Sequence, residues 1–337
     1  MVYSAGLIGC GSIGALKPDH LDSKLSTNIL THANALNTHN KINFVGVVDI
    51  DEEKRNAAAE KWGVRAFPTV ELLFDDCDLD IVICAVNTEN HFTTLLEILI
   101  QRGNNLKTVI VEKPFCENSK RAMEITRKYL EYGINLIVNY QRNFIKEYAA
   151  IKRMFDKGIL DDGPFGKAMN CRVLYTRGLK HEGCHAINFL LDFFGDCIYS
   201  EILDAGYGIP DRDATDESVS VFAVFEKCTS VVLQPVDGRC YGIFEIDICF
   251  EKCRLRFIEN GLWIERYPIV TENEYGHKSL GYGTTEVIRT NTGLNTSLYE
   301  CLDQAVESCK ACFDNKKLLE NVTRAIKVHE FIEDTKE

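Results

Sequence analysis

Tyr3-Ser4-Ala5-Gly6-Leu7-Ile8-Gly9-Cys10-Gly11-Ser12-Ile13-Gly14 reads as a strand that delivers a glycine-rich turn. Gly9, Gly11 and Gly14 have the spacing G-x-G-x-x-G, with Ser12 and Ile13 inside it. Glycines so placed permit a tight turn, let the backbone approach a pyrophosphate and let a following helix pack close, with its N-terminal amides facing the anion. Alone the pattern is weak, and its surroundings strengthen it. Phe44-Val45-Gly46-Val47-Val48 has the content of a second buried strand, and it ends in Asp49, a carboxylate able to accept hydrogen bonds from ribose hydroxyls. Gly14 and Asp49 are 35 positions apart, against the usual spacing of about 20. The excess is assigned to Ala15 through Asn28, a polar insertion expected beside the cofactor, followed by a helix that includes Ile29, Ala33 and Leu36. After Asp49 come Ile50-Asp51-Glu52-Glu53, whose carboxylates would repel a 2'-phosphate. The expected cofactor is therefore NAD, with Lys54 and Arg55 keeping NADP open.

The alternation continues outward. A helix near 52–62 precedes the strand Asp80-Ile81-Val82-Ile83-Cys84-Ala85-Val86, and Phe92, Leu95, Leu96 and Leu99 then fall at i, i+3, i+4, i+7. The run Val109-Ile110-Val111-Glu112-Lys113-Pro114 follows, then a helix with Ala122, Ile125 and Tyr129 and the strand Asn135-Leu136-Ile137-Val138-Asn139. Such repetition implies α/β architecture: an N-terminal doubly wound parallel sheet with helices on both faces. Ligands bind off the carboxyl ends of its strands, which puts Val86, Asn87, His91, Glu112 and Lys113 on the ligand-facing rim. Pro114 cannot continue a ladder and keeps Lys113 extended. Taken singly, a Glu-Lys pair before a turn is more often surface, and a lone histidine such as His91 more often packs.

After about residue 150 the rhythm changes. Past the turn Asp162-Gly163-Pro164, strands dominate at 167–176, 218–226, 229–235, 242–250, 253–258 and 262–267, implying a large, mainly antiparallel sheet with one face covering the mouth of the first domain. Between the first two lies Gly178-Leu179-Lys180-His181-Glu182-Gly183-Cys184-His185, leading to a helix with Ile187, Leu190, Leu191 and Phe194 on its buried side and His181, His185, Asn188 and Asp192 opposite. Two imidazoles four apart beside Cys184 raise zinc as a formal possibility, but no matching ligand stands elsewhere and no metal is expected. Two domains follow: 1–120, with a strand and helix bridging to about 145, and 146–337, ending in helices near 294–313 and 316–334.

With 337 residues, 45% hydrophobic, the chain is long enough for two sizeable cores. Its net charge of -12 and pI near 5.3 argue against nucleic acid. No apolar run is long enough to span a bilayer and no leader pattern is visible, so a cytoplasmic protein without membrane partners is expected. The fourteen cysteines are scattered through apolar runs and read as reduced core thiols, including the one C-x-x-C, Cys309-Lys310-Ala311-Cys312.

Together these stretches resemble the glucose-fructose oxidoreductase / inositol 2-dehydrogenase (Gfo/Idh/MocA) family over essentially the whole chain. The resemblance rests on Gly9 to Gly14, Asp49, Asn87 to His91, Glu112-Lys113-Pro114, Tyr140-Gln141-Arg142-Asn143-Phe144 and His185 before a helix. It implies an N-terminal Rossmann domain, a C-terminal α/β domain with a large open sheet, and homodimers or homotetramers built through that sheet. It also implies NAD(P)-dependent oxidation of a secondary alcohol of a sugar, cyclitol or nucleotide sugar. By the same resemblance Lys113 lies beside the reacting carbinol, His185 is the general acid/base, Glu112 faces the nicotinamide ribose and Arg142 lies near the nicotinamide or substrate. The chain departs from the pattern at His181 and Asn188, where Asp is frequent, and at Asn87, where proline is common, so His181 is a further catalytic candidate. Relatives with this fold also include NAD-dependent glycosidases and non-catalytic regulators that sense a dinucleotide or sugar. A regulator has no need of an acid/base pair such as Lys113 and His185.

Overall fold

A computed structural model of the chain describes residues 1–160, 163–204, 216–272, 274–290, 293–310 and 314–335. The chain divides into two compact units, Met1–Phe144 with Leu294–Ile326 and Ile145–Gly293 with Lys327–Glu337.

The first unit carries β1 (Tyr3–Ile8), α1 (His32–Thr38), β2 (Ile42–Val48), α2 (Glu52–Trp62), β3 (Arg65–Phe67), α3 (Val70–Asp76), β4 (Ile81–Cys84), α4 (Thr88–Gln101), β5 (Thr108–Glu112), α5 (Ser119–Glu131) and β6 (Asn135–Asn139). All six strands run parallel in the order β3-β2-β1-β4-β5-β6, the order of a dinucleotide-binding fold. Every residue of β4 and β5 is buried. Their uninterrupted apolar runs have that cause, since helices cover both faces.

The glycine turn does not flow directly into a long helix. Ala15 N–H and Leu16 N–H return to Gly11 O, closing one helical turn, and the chain then leaves. It comes back at α1, where His32 N–H donates to Ile13 O (3.0 Å) and Ala33 N–H to Gly14 O (2.9 Å). The helix is thus resumed across the gap by ordinary backbone bonds, and Ile29 lies before it rather than within it. Asp22, buried in the inserted segment, accepts from Leu30 N–H, the Thr31 hydroxyl and the Asn34 amide. Lys61 on α2 donates to the carbonyls of Lys17 and Asp22 and pairs with Asp19. These ties hold the insertion against the carboxyl end of α2.

The second unit contains α6 (Lys146–Leu160), β7 (Ala168–Tyr175), α7 (Cys184–Phe194), β8 (Cys197–Asp204), β9 (Ser220–Phe225), β10 (Cys228–Pro235), β11 (Glu245–Phe250), β12 (Cys253–Ile258), β13 (Trp263–Glu272), β14 (Lys278–Leu280) and β15 (Glu286–Arg289). The sheet order is β14-β13-β12-β11-β7-β10-β9-β8 with β15 also on β13, antiparallel except for β7 beside β10. Strict alternation of buried and half-exposed residues along β9, β11 and β12 gives one packed face. A cluster of aromatic rings from α6, α7 and the sheet fills it, including Phe155, Phe189, Phe193, Phe250 and Phe257. On the other face Arg254 pairs with Asp247, and Arg256 with Glu265.

The last two helices, α8 (Gly293–Ser308) and α9 (Lys316–Asp334), differ from the expected division. Leu298, Cys301, Leu302, Ala305 and Val306 share one buried cluster with Leu7, Val47 and Ile83, so α8 and the first part of α9 belong to the parallel-sheet unit. A helix stripe names no partner, and here the uncovered side of the parallel sheet takes it. Most described cysteines are buried and none is in a disulfide. Cys312 and the start of the Asp162 turn lie outside the described residues.

Candidate active site

A cleft of about 480 Å³ opens off the carboxyl ends of β1, β2 and β4, its wall including Gly9, Gly11, Asp49, Asp51, Val86 and Asn87. This is where the strand order reverses, on either side of β1. Gly9 has φ +97°, and a Cβ there would stand 2.5 Å from Ala85 O. A Cβ on Gly14 would stand 2.0 Å from Gly9 O, whereas one on Gly11 would meet nothing within 4 Å. Two glycines are therefore needed by the turn itself, and Gly11 leaves a space that a pyrophosphate could enter.

Gly14→Ala should consequently be costly where Gly11→Ala is not. The obstruction at Gly14 is backbone on backbone, so no side chain can swing away, and the expected loss is about 1–3 kcal/mol of stability, against less than about 0.5 for Gly11→Ala. Urea denaturation of the two variants checks this; equal stability would mean that the turn is not held as described.

Asp49 is oriented by its neighbours. Cys10 N–H donates to Oδ2 at 2.7 Å and Asp51 N–H to Oδ1 at 2.9 Å, while the Arg55 guanidinium donates to the Asp49 carbonyl. Arg55 is thereby turned to the backbone, and Lys54 pairs with Asp51 at 2.9 Å. Burial, with Asp49 beside it, pushes the Cys10 thiol up to about 12, so it is inert. Ser12 is exposed at the turn and Ile13 half-buried. Asn87, exposed at the N-cap of α4, makes no side-chain cap bond. The insertion from Ala15 to Asn28 does not line this cleft, because its ties to Lys61 draw it to the far end of α2.

His91 does not line the cleft either. Its Nε2 lies 3.0 Å from Val86 O and its Nδ1 2.9 Å from Pro114 O, so the ring braces the start of α4 against the turn after β5. Burial lowers the imidazole below its ordinary value, with those carbonyls pulling the other way.

At the end of β5, Glu112 is buried. Its Oε1 lies 2.7 Å from His32 Nε2 and 2.6 Å from Asn139 Nδ2, and its Oε2 accepts the Lys113 N–H at 3.3 Å. Burial alone would push this carboxyl up; the bonds from His32 and Asn139, with the His32 and Lys113 charges, hold it below the usual range. Lys113 is half-buried and precedes a cis peptide to Pro114. Arg142 is buried in a short 3-10 turn, Gln141–Phe144, directly after β6.

In the second unit, Arg177 and Gly178 both have positive φ and lead into a π-helical turn, Gly178–Gly183, which runs on into α7. Such turns recur at functional sites. Asp216 caps this one, accepting from Lys180 N–H and His181 N–H at 2.8 Å each. No sequence pattern marked Asp216. His181 is partly exposed, whereas His185 and Asn188 are 7% and 1% exposed. The polar stripe of α7 is therefore mostly interior, since this helix is buried nearly all round. Among the described residues no group of three or more His, Cys, Asp or Glu is arranged to hold a metal.

Residues 4–140 match the Gfo/Idh/MocA model, described as an oxidoreductase family with an NAD-binding Rossmann fold. The chain is 26% identical over 162 residues to the inositol 2-dehydrogenase/D-chiro-inositol 3-dehydrogenase of Lactiplantibacillus plantarum, covering 47% of this chain and 41% of that protein. It is 32% identical over 155 residues to inositol 2-dehydrogenase of Mycolicibacterium smegmatis, covering 45% and 39%. The match thus spans about two-fifths of the length of these relatives. An NAD binding oxidoreductase from Klebsiella pneumoniae shares the fold with a TM-score of 0.73 at 13% identity, covering 100% of this chain and 96% of that one.

Proposed function

We propose that the chain, whose residues 4–140 match the Gfo/Idh/MocA oxidoreductase family, is an NAD-dependent dehydrogenase of a sugar, cyclitol or nucleotide sugar. The observation that carries the proposal is the cleft at the reversal of strand order, with Gly11 open beneath it and Asp49 oriented at its rim. Relatives named for inositol support a polyol or sugar as the substrate class.

When bound, the dinucleotide supplies the hydride acceptor. Gly9 to Gly14 would receive its pyrophosphate and Asp49 the adenosine ribose hydroxyls. His185 takes the hydroxyl proton at an imidazole nitrogen, and the Lys113 ammonium stabilises the alkoxide that develops. His181 shares the proton route or holds the substrate, and Arg142 binds near the reacting end. Asn139 and His32 occupy one Glu112 oxygen, so only the other, Oε2, would serve a ribose hydroxyl. We also propose that copies of the chain meet through the half-exposed face of the second sheet and that the protein works in the cytoplasm.

NAD should bind at least about tenfold more tightly than NADP, about 1.4 kcal/mol, because Asp49 and Asp51 stand where a 2'-phosphate would come. Asp49→Ala should narrow the gap. Calorimetric titration with both dinucleotides, then NADH formation across a panel of polyols and sugars, tests the proposal. Tighter binding of NADP to the unaltered protein would reverse the cofactor assignment, and absence of NADH with every substrate class would remove the dehydrogenase.

A further inference from the structure

Hydride transfer does not in itself require a histidine against Glu112. Yet His32 Nε2 lies 2.7 Å from Glu112 Oε1, with the two residues 1% and 6% exposed and 80 positions apart in the chain. Asn139 Nδ2 bonds the same oxygen at 2.6 Å. One carboxylate oxygen is thus held from α1 and β6, while the other accepts only the amide of Lys113 among the bonds described. Because Lys113 follows immediately on the chain, whatever fixes Glu112 fixes the start of the lysine side chain.

The other titratable groups around Glu112 are quiet. Cys84 on β4 is pushed up to about 12, burial being the main cause, and burial likewise raises Cys301 on α8 well above the ordinary thiol value. His91 on α4 is lowered by burial. Burial disfavours the charged form of all three, and the contributions that favour the Glu112 carboxylate come from His32, Asn139 and Lys113. His32 itself is set by the two bonds that dock α1 on the glycine turn and by the Thr31 cap, whose hydroxyl also donates to Asp22.

We propose that His32 is a positioning residue: by holding Glu112 Oε1 it fixes the end of β5 and thereby places Lys113. The catalytic part of this rests on the dehydrogenase reading. The physical link from His32 through Glu112 to Lys113 does not.

The sign of the pH effect follows from Glu112. Its folded value lies below the ordinary one, so the stabilisation it confers is present above the ordinary carboxylate range and is lost as pH falls through the folded value. Without His32, burial prevails over the remaining partners and the carboxyl holds its proton to higher pH. His32→Leu should therefore add a carboxyl ionisation to the acid limb that the His185 imidazole sets in the unaltered protein and lower kcat at neutral pH by about tenfold to 100-fold. His32→Gln, which keeps an N–H donor, should recover most of the neutral-pH rate and should fold if the Leu variant does not.

The experiment pairs these profiles with two measurements that need no turnover. In an acid titration followed by infrared difference spectra, the band of a protonated carboxylic acid should appear at higher pH in His32→Leu than in the unaltered protein. Carbon NMR of reductively methylated lysines should show the Lys113 resonance, assigned by its loss in Lys113→Arg, displaced in His32→Leu and restored in His32→Gln. If the unaltered protein oxidises no polyol or sugar, the dehydrogenase reading fails, and with it the kinetic role of His32. If turnover is present but the acid limb, the infrared band and the Lys113 resonance are all unchanged in both variants, the positioning role is overturned and the dehydrogenase stands.

Discussion

Lys113→Ala should leave a folded protein that binds NAD and oxidises its substrate about 100- to 1000-fold more slowly, a loss of about 2.7–4 kcal/mol. The expectation of an intact fold comes from the strand before it: Thr108 to Glu112 are buried and paired with β4 and β6 whatever side chain follows. The expectation of a lost rate comes from the charge, since an alkoxide forming away from bulk water needs a cation already in place. Lys113→Arg should not restore the rate, because a planar fork cannot take the position of a compact ammonium. NAD affinity should change little, the pyrophosphate being received at the glycine turn. Single-turnover NADH formation is the measurement. A Lys113→Ala protein that binds NAD and reacts at nearly the original rate would make the end of β5 structural and remove Lys113 from the proposed chemistry.

His185→Asn should be of comparable or greater consequence, about 100- to 10,000-fold in kcat, the usual worth of a positioned proton acceptor. Asparagine is close in size to the imidazole it replaces, so the buried first turn of α7 should tolerate it, but an amide cannot take up a proton. The pH–rate profile should lose its imidazole limb along with the rate. His181→Asn should lower turnover less and leave NAD affinity alone if this partly exposed residue shares the proton route. Should it raise only KM, His181 holds substrate and His185 is the sole base. A His185→Asn enzyme with an unchanged profile would reassign the base altogether.

What could be read from the chain depended on whether the cause was local. β1, β4, β5, β6 and the end of β2 were legible because burial on both faces demands continuous apolar runs, and the glycine turn because only glycine satisfies Gly9 and Gly14. β8 was not, since it is an edge strand that leaves Ile198, Tyr199 and Leu203 exposed and so lacks an alternating pattern. β3 and α3 are too short, at three and seven residues, for any period to register. The placement of α8 depends on which apolar surface remained uncovered elsewhere, which no helical stripe records. The site divided in the same way. Asp49 and Lys113 stand at strand ends and announce themselves; the His32 contact with Glu112 and the Asp216 cap on the His181 turn join distant stretches and carry no spacing.

The resumed helix also bears on the order in which the molecule assembles. In an uninterrupted helix the bond to Ile13 O would close over four residues; here it comes from His32, nineteen residues on. The added entropy of closing that loop is about 1.4 kcal/mol by the logarithmic rule. Local helix nucleation cannot meet it, because the two pieces cannot propagate into each other along the chain. The three bonds gathered by the buried Asp22 are the natural offset, and they form only once the insertion has folded back on itself. The glycine turn therefore acquires its helix through a non-local step, and contact order, rather than helix propensity, should set how early the cleft takes shape during folding.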